Sequence, residues 1–488
     1  MAALEANPSS KCSTTCFQIL LLLAFSTIFA SAKNVITHLP GFDGELPFYL
    51  ETGYIGVGES NESQLFYYFV ESQRSPSLDP LMLWLTGGPG CSVLSAFFYE
   101  SGPVAFDYAN YNGSLPLLHL NSDTWTKGLN ILYVDAPVGT GFSYSTTAEN
   151  YYLNDTKSAW QTYEFLQKWL LEHPQFLKNQ FFMGGDSYSG IPLPMIVQHI
   201  LDGNNEGMKP TINLKGYILG NPKTDDYIDS NSLVPFAFRV TLIPRELYHS
   251  AKYYCNGDYV NINESNTGCV AAIDAYDQLV LHINTMNILE PICQIAKPRK
   301  SIEGRRSAEE IEPEEIPLSE IKSGKALWCR MTYQEPSTFF QDYNYVLSAV
   351  WANARIVREA LHVRDGTVGV WKRCNSSIAY TKTQSSTVGY HKNFTSSSLR
   401  ALIYSGDHDF SVPHVGTQTW INSLNMTIYE DWRAWFVQGQ VAGYTEKLVS
   451  SDFTLIYATV KGGGHVAPEY KPKECYKMIE RFMAYYPL

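Results

Sequence analysis

Phe181-Phe182-Met183-Gly184-Gly185-Asp186-Ser187-Tyr188-Ser189-Gly190 is the stretch that decides the fold. The run from Gln180 to Met183 is short and apolar, as expected of a strand buried on both faces, and small residues then flank a single serine. Gly185 and Ser189 stand two before and two after Ser187, leaving room for a sharp strand-to-helix turn. Such a turn holds the serine hydroxyl at the end of a sheet, beside the first N–H groups of the next helix. The usual elbow has glycine where this chain has Ser189, a departure that the small serine tolerates.

Working outward, two partners follow in order. Asp409 lies beyond the apolar run Leu402 to Tyr404, in YSGDHDFSVP, and His465 lies beyond Phe453 to Thr459, in KGGGHVAP. Serine, then aspartate, then histidine, each just past a strand, is the α/β-hydrolase order. Ends of parallel strands gather ligand-facing loops, so residues distant in sequence meet there. His465 is expected to take the Ser187 proton and return it to the departing group, with the aspartate orienting the ring. Asp407 competes for that last role. Asp409 is preferred because the loop from Gly406 gives it more reach, leaving Asp407 to brace the loop; His408 and His414 are structural or substrate-side candidates. Attack on an acyl carbon also needs preorganised donors for the developing oxyanion. Gly87-Gly88-Pro89-Gly90, after the strand Leu81 to Leu85, brings a bare backbone close, and the N–H groups of Gly88 and Tyr188 are assigned to this task. The chemistry then has its nucleophile, base and electrostatic donors, so no cofactor and no metal is expected.

Further strand candidates are Ile131 to Val134 and Leu214 to Leu219. Between strands, Asp155 can cap a helix in which Ala159, Tyr163, Leu166, Trp169 and Leu170 recur at helical spacing, and a final helix is expected over Pro472 to Tyr485. The alternation predicts an α/β-hydrolase fold with a mostly parallel central sheet and a helical cap insertion. Residues 33–220 form the first part of the core, 221–400 the cap insertion and return elements, and 401–488 the second part. Within the insertion Lys297 to Lys325 is charged and Pro-bearing, with no aromatic residue and only scattered Ile and Leu, so it is expected to be a loop, either intact or processed at Arg299-Lys300 or Arg305-Arg306.

The 488 residues carry a formal charge of −12, which argues against a nucleic-acid backbone or an acidic membrane as partner. No stretch beyond the first 32 residues is long and apolar enough for stable membrane insertion to be expected. Residues 1–32 read as a signal peptide, with the apolar run Phe17 to Ala30 and the cleavage signal Ala30-Ser31-Ala32; a retained anchor is the alternative. Seven sequons begin at Asn61, Asn112, Asn154, Asn263, Asn375, Asn393 and Asn425, consistent with export and glycosylation. Seven cysteines remain after the signal, in a compartment that permits disulfides, and spacing alone does not pair them.

Together WLTGGPGCSV from Trp84, DAPVGTGFSYS from Asp135, GGDSYSG from Gly184, YSGDHD from Tyr404 and GGGHVAPEYKP from Gly462 resemble the serine carboxypeptidase family over essentially the whole mature chain. The resemblance implies Ser187, Asp409 and His465 as triad and the same oxyanion donors. It also implies disulfides Cys91–Cys374, Cys255–Cys269 and Cys293–Cys329, with Cys475 left over. Plant members are often cut into two chains by removal of the linker that matches Lys297 to Lys325.

The departures carry the functional expectation. Carboxypeptidases of this family have WLNGGPG and GESYAG, where the Asn side chain, a Gly N–H and a pair of acids hold the peptide's terminal carboxylate. This chain has Thr86 and Asp186 at two of those positions and keeps Gly87 and Glu100 at the others. Losing or misplacing a buried donor costs about 1–3 kcal/mol, so the clamp is weakened. With DHDFSVPHVGTQTWI from Asp407, the pattern resembles the plant acyltransferase branch. That branch implies transfer of an acyl group, typically aromatic, from a 1-O-β-glucose ester to a small-molecule acceptor, and a vacuolar location, with extracellular space as the alternative. Asp186 and Glu100 are then candidates for sugar hydroxyls, or Asp186 for bracing the glycine-rich loops. A peptidase releasing C-terminal amino acids is the competing activity, and a catalytically silent binding protein is a third reading.

Overall fold

The computed structural model describes residues 33–292 and 341–488, the side chains of 341–344 excepted. The expected signal peptide, the expected linker at 297–325 and the expected Cys293–Cys329 pairing fall outside the described residues. In chain order the strands are β1 (Asn34–Ile36), β2 (Leu50–Val57), β3 (Ser63–Val70), β4 (Leu81–Leu85), β5 (Val104–Phe106), β6 (Leu118–Leu120), β7 (Asn130–Val134) and β8 (Tyr144–Ser145). They continue as β9 (Tyr152–Asn154), β10 (Phe181–Asp186), β11 (Leu214–Gly220), β12 (Ala379–Thr381), β13 (Arg400–Gly406), β14 (Thr427–Val437), β15 (Gln440–Ser450) and β16 (Phe453–Val460).

One sheet of 12 strands runs β1-β2-β3-β7-β4-β10-β11-β13-β16-β15-β14, with β8 on β3. The centre, from β7 through β16, is parallel throughout. Antiparallel strands flank it on both sides, so the sheet as a whole is mixed. The six parallel strands coincide with the apolar runs of the sequence, because a strand covered on both faces has no polar face to show. In β4, Met82 and Trp84 pack into the core on one face while Leu81, Leu83 and Leu85 pack into the core on the other. That is the period of two expected of a strand. Each such fully buried side chain stabilises by about 1.5–3 kcal/mol, so the strand is held from both faces.

Helices α1 (Asp155–Glu172) and α2 (Pro192–Asn205) cover one face through Ala159, Tyr163, Leu166, Trp169, Ile196 and Ile200. The helix Pro472–Met483 covers the other through Cys475, Met478, Ile479 and Phe482. The start of α1 differs from expectation. Asn154, not Asp155, is the cap: its side chain accepts the Lys157 N–H at 2.8 Å from an extended backbone. Asp155 is already inside the helix, and its carboxylate is drawn away by other donors.

The cap consists of α3 (Asp226–Asn231), α4 (Leu233–Arg239), α5 (Arg245–Cys255) and α6 (Thr267–Val280). It has its own small core, in which Phe236, Ile243, Ile273 and Tyr276 meet Phe410 and Val415 of the hydrolase core. Cys255–Cys269 ties α5 to α6, and Cys91–Cys374 ties the glycine-rich loop after β4 to the return elements. Cys475 is buried and free. No helix among the described residues is long and apolar enough to cross a membrane.

Candidate active site

Three parallel strands deliver three side chains to one edge. Ser187 follows β10 directly, Asp409 follows β13 and His465 follows β16. Ser187 takes φ = 53°, a left-handed conformation that non-glycine residues adopt at a cost, as a strained elbow requires. The elbow depends on its small neighbours. A Cβ on Gly185 would stand 2.8 Å from Ser189 Cβ and 3.0 Å from the Leu85 carbonyl oxygen. Position 189 therefore has to be small, and serine suffices.

His465 Nε2 lies 2.7 Å from Ser187 Oγ, and its Nδ1 lies 2.8 Å from Asp409 Oδ2. All three residues are buried, Asp409 completely. The aspartate is held on both oxygens. Asn221 Nδ2 donates to Oδ2 at 2.7 Å, and the N–H groups of Ser411 and Val412 donate to Oδ1 at 2.7 and 3.1 Å. Asp407 sits elsewhere, accepting the Gly462 N–H at 2.7 Å and facing His408 Nδ1 at 2.6 Å, so it joins the two strand-end loops. His414 packs against Phe236, and burial pushes its pKa down to about 4, which keeps it neutral. The His465 loop is fixed by the cap connection: its N–H donates to the Met286 carbonyl at 2.6 Å. Gly464 permits that approach, since a Cβ there would come within 2.5 Å of the same oxygen.

The glycine-rich loop lies against the serine. A Cβ on Gly87 would stand 2.6 Å from Ser187 Cβ and 2.8 Å from the Tyr188 nitrogen, and Gly88 takes φ = 117°. Asp135, at the end of β7, braces this loop by accepting from Ser92 Oγ at 2.7 Å and from the Val93 N–H at 2.9 Å, with Phe142 N–H at 2.9 Å on its other oxygen. Burial raises its pKa to about 6.

Asp186 Oδ1 accepts the Gly87 N–H at 3.2 Å. Glu100 is 2% exposed, and its Oε2 has no hydrogen-bond partner among the described residues. Burial, reinforced by the nearby charges of Asp186 and Glu469, pushes the pKa of the Glu100 carboxyl well above its ordinary value and so disfavours its charged form. Thr86 Oγ1 is likewise buried without a hydrogen-bond partner among the described residues.

Of the seven sequon asparagines, Asn61, Asn112, Asn263, Asn393 and Asn425 are exposed. Asn154 and Asn375 are half-buried, and Asn375 Nδ2 donates to the Gly139 carbonyl at 2.9 Å. Sequence reasoning missed Asn221, which carries no motif; its one signal is its place just after β11, the strand beside β13. It also missed the contacts of Asp155 described below. Among the described residues no group of three or more His, Cys, Asp or Glu side chains is arranged to hold a metal ion.

A nucleophile within hydrogen-bond reach of a base, itself oriented by a buried carboxylate, can form and break an acyl-enzyme. Residues 40–485 match the model of the serine carboxypeptidase family. The chain is 43% identical over 475 residues to serine carboxypeptidase-like 7 of Arabidopsis thaliana, covering 97% of this chain and 99% of that one. It is 44% identical over 478 residues to serine carboxypeptidase-like 17 of the same plant, at 97% and 99% coverage. Among solved structures, a prohormone-processing carboxypeptidase of Saccharomyces cerevisiae superposes with a TM-score of 0.69, covering 92% of this chain and 94% of that one at 18% identity. That last likeness speaks for the fold.

Proposed function

The chain belongs to the serine carboxypeptidase family, and from that premise we propose that it is an acyltransferase that takes an acyl group from a 1-O-β-glucose ester. In this reading Ser187 Oγ attacks the ester carbonyl while His465 Nε2 accepts its proton. Asp409 holds Nδ1–H and stabilises the imidazolium, and the N–H groups of Gly88 and Tyr188 receive the oxyanion. His465 then protonates the departing glucose oxygen, leaving an acyl-serine. An acceptor hydroxyl, deprotonated by the same imidazole, attacks the acyl carbon and restores Ser187.

The observation that carries the reading is the altered carboxylate clamp. Position 86 has no amide to offer, and the Gly87 N–H already donates to Asp186 at 3.2 Å. A peptide carboxylate would find the donor at position 86 absent and the one at position 87 occupied, beside the buried acids Glu100, Asp186 and Glu469. A sugar hydroxyl is neutral and can both donate to and accept from the acids at this place, whichever form each carboxyl takes. A Glu100 carboxyl whose charged form is disfavoured would also tolerate a substrate carboxylate beside it, which favours a carboxypeptidase as the second reading. An exported, acidic protein of this kind is proposed to work in the plant vacuole.

The test is to incubate the protein with a panel of acyl-glucoses and pooled alcohols, and separately with blocked dipeptides, reading products by mass. Acyl-acceptor products that vanish in Ser187→Ala are expected. Efficient release of C-terminal amino acids with no acyl transfer would overturn the proposal.

A further inference from the structure

We infer that Asp155 is a positioning residue for the oxyanion site, fixing the Tyr188 donor to the same chain segment that holds the Gly88 loop. The inference rests on the assignment of Gly88 and Tyr188 as donors, but not on which acyl group or acceptor is used.

Asp155 is the first residue of α1 and is completely buried. Burying a carboxylate is costly unless it is fully hydrogen-bonded, and here five donors converge on it. The phenols of Tyr188 and Tyr380 donate to Oδ1 at 2.7 and 2.9 Å. The N–H groups of Thr383 and Gln384 donate to Oδ2 at 2.5 and 2.8 Å, and Thr383 Oγ1 donates at 3.2 Å. Capping does not explain this residue, because Asn154 already caps the helix. Its partners come from two places distant in sequence. Tyr188 is the residue after the nucleophile, while Tyr380, Thr383 and Gln384 belong to the segment that contains β12. The Tyr380 ring also packs edge-on against Tyr188, with centroids 6.1 Å apart. Burial raises the pKa of the Tyr188 phenol far above its usual value, so it stays a donor.

The far end of the same segment grips the other donor loop. Cys374 is bonded to Cys91, Asn375 N–H donates to the Gly90 carbonyl at 2.9 Å, and Ser92 N–H donates to the Arg373 carbonyl at 2.6 Å. Residues 373–384 thus form a strut with the Gly88 loop at one end and, through Asp155, the elbow at the other. Oxyanion donors act only within a narrow range of distances from the developing charge, and losing one costs about 10²–10³ in kcat. Loosening Tyr188 sideways is the smaller insult.

The experiment compares Asp155→Asn and Tyr188→Phe with wild type. The first keeps the size of the side chain but not its charge; the second removes only the phenol. Readouts are the rate at which a fluorophosphonate labels Ser187, the affinity for benzeneboronic acid, and the melting temperature. Benzeneboronic acid forms a tetrahedral adduct on the serine, whose oxygen occupies the oxyanion site. Both variants are expected to label about 10- to 100-fold more slowly and to bind the boronate correspondingly less tightly. The pH midpoint of labelling, set by His465, should stay where it is, and the double variant should be no slower than the worse single one. Labelling and boronate affinity within twofold of wild type in a folded Asp155→Asn, whatever its melting temperature, would overturn the inference. Should Asp155→Asn fail to fold, the same result in Tyr188→Phe overturns it. A wild-type protein that the fluorophosphonate never labels would instead sink the nucleophile reading itself, so the two failures are distinguishable.

Discussion

Exchanging Asp409 for asparagine tests the orientation of the base, and the surroundings of that residue fix the size of the effect. An amide can sit in the carboxylate's place in two ways. With its oxygen in the Oδ1 position it keeps the bonds from the Ser411 and Val412 N–H groups, and its NH2 then faces His465 Nδ1 and Asn221 Nδ2. With its oxygen in the Oδ2 position, the NH2 meets those two backbone donors instead. The first arrangement opposes one donor with another at Asn221 alone, the second at two places. The difference is one unsatisfied buried donor, about 1–3 kcal/mol, or roughly 5- to 150-fold in population. The favoured arrangement donates a hydrogen to Nδ1 and so moves the ring proton to Nε2, where it can no longer accept from Ser187. The neutral amide also fails to stabilise the imidazolium, and the two losses together amount to on the order of 10⁴ in rate, about 5.4 kcal/mol. The assay is the labelling rate of Ser187 by a fluorophosphonate, which does not depend on knowing the substrate. An Asp409→Asn protein that labels within threefold of wild type would refute the reasoning. So would a larger loss in Asp407→Asn, which is expected to lose less than tenfold.

Three further outcomes follow from the structure. Replacing Cys91 and Cys374 together with serine should cost about 2–5 kcal/mol, seen as a lower melting temperature, and should slow labelling because the pair anchors the Gly88 loop. Asp135 and Asp229 each contribute a stability that falls as pH rises from about 4 towards 8, because burial raises their pKa to about 6 and about 7. The buried His391 and His414, lowered to about 3 and about 4, contribute in the opposite sense. The folded protein keeps protons on the two aspartates that the unfolded chain has already released, so their stabilising effect is complete below the unfolded pKa and lost through the folded one. The melting temperature of Asp229→Asn relative to wild type is therefore expected to be higher at pH 7.5 than at pH 5, since the variant lacks the contribution that wild type loses over that range. Peptide mapping of protein made in a plant host should find glycans on the exposed Asn61, Asn112, Asn263, Asn393 and Asn425 but none on Asn375, whose amide nitrogen is committed to Gly139.

What could be read from the sequence follows from where side chains lie. The parallel strands were legible because burial on both faces removes polar alternation, as in Leu81–Leu85 and Asn130–Val134. The antiparallel flanks escaped notice although β2 and β3 are buried along almost their whole length, so burial alone does not make a strand legible. β2 is interrupted by Gly53 and Gly56, and β14 mixes charged residues with apolar ones and shifts register at several points along its partner. At the site, Ser187, Asp409 and His465 each follow a recognisable strand, so their order suggested their meeting. Asn221 and Asp155 act through contacts 188 and 33 residues distant, and local pattern carries no trace of such pairings. For Asp155 the pattern misled, because a helix-start aspartate reads as a cap until the neighbouring asparagine is seen in that role. Choice of acceptor is the least legible property, since it depends on surfaces assembled from the cap and from loops far apart in the chain.

The interleaving of the sheet has a consequence for biosynthesis. The serine leaves the ribosome with β10, but the imidazole that activates it comes 278 residues later, after a strand that must slot between β13 and β15. A nascent polypeptide therefore carries its nucleophile for most of translation without a base to arm it. The protein is unable to acylate itself on stray esters until the sheet is complete.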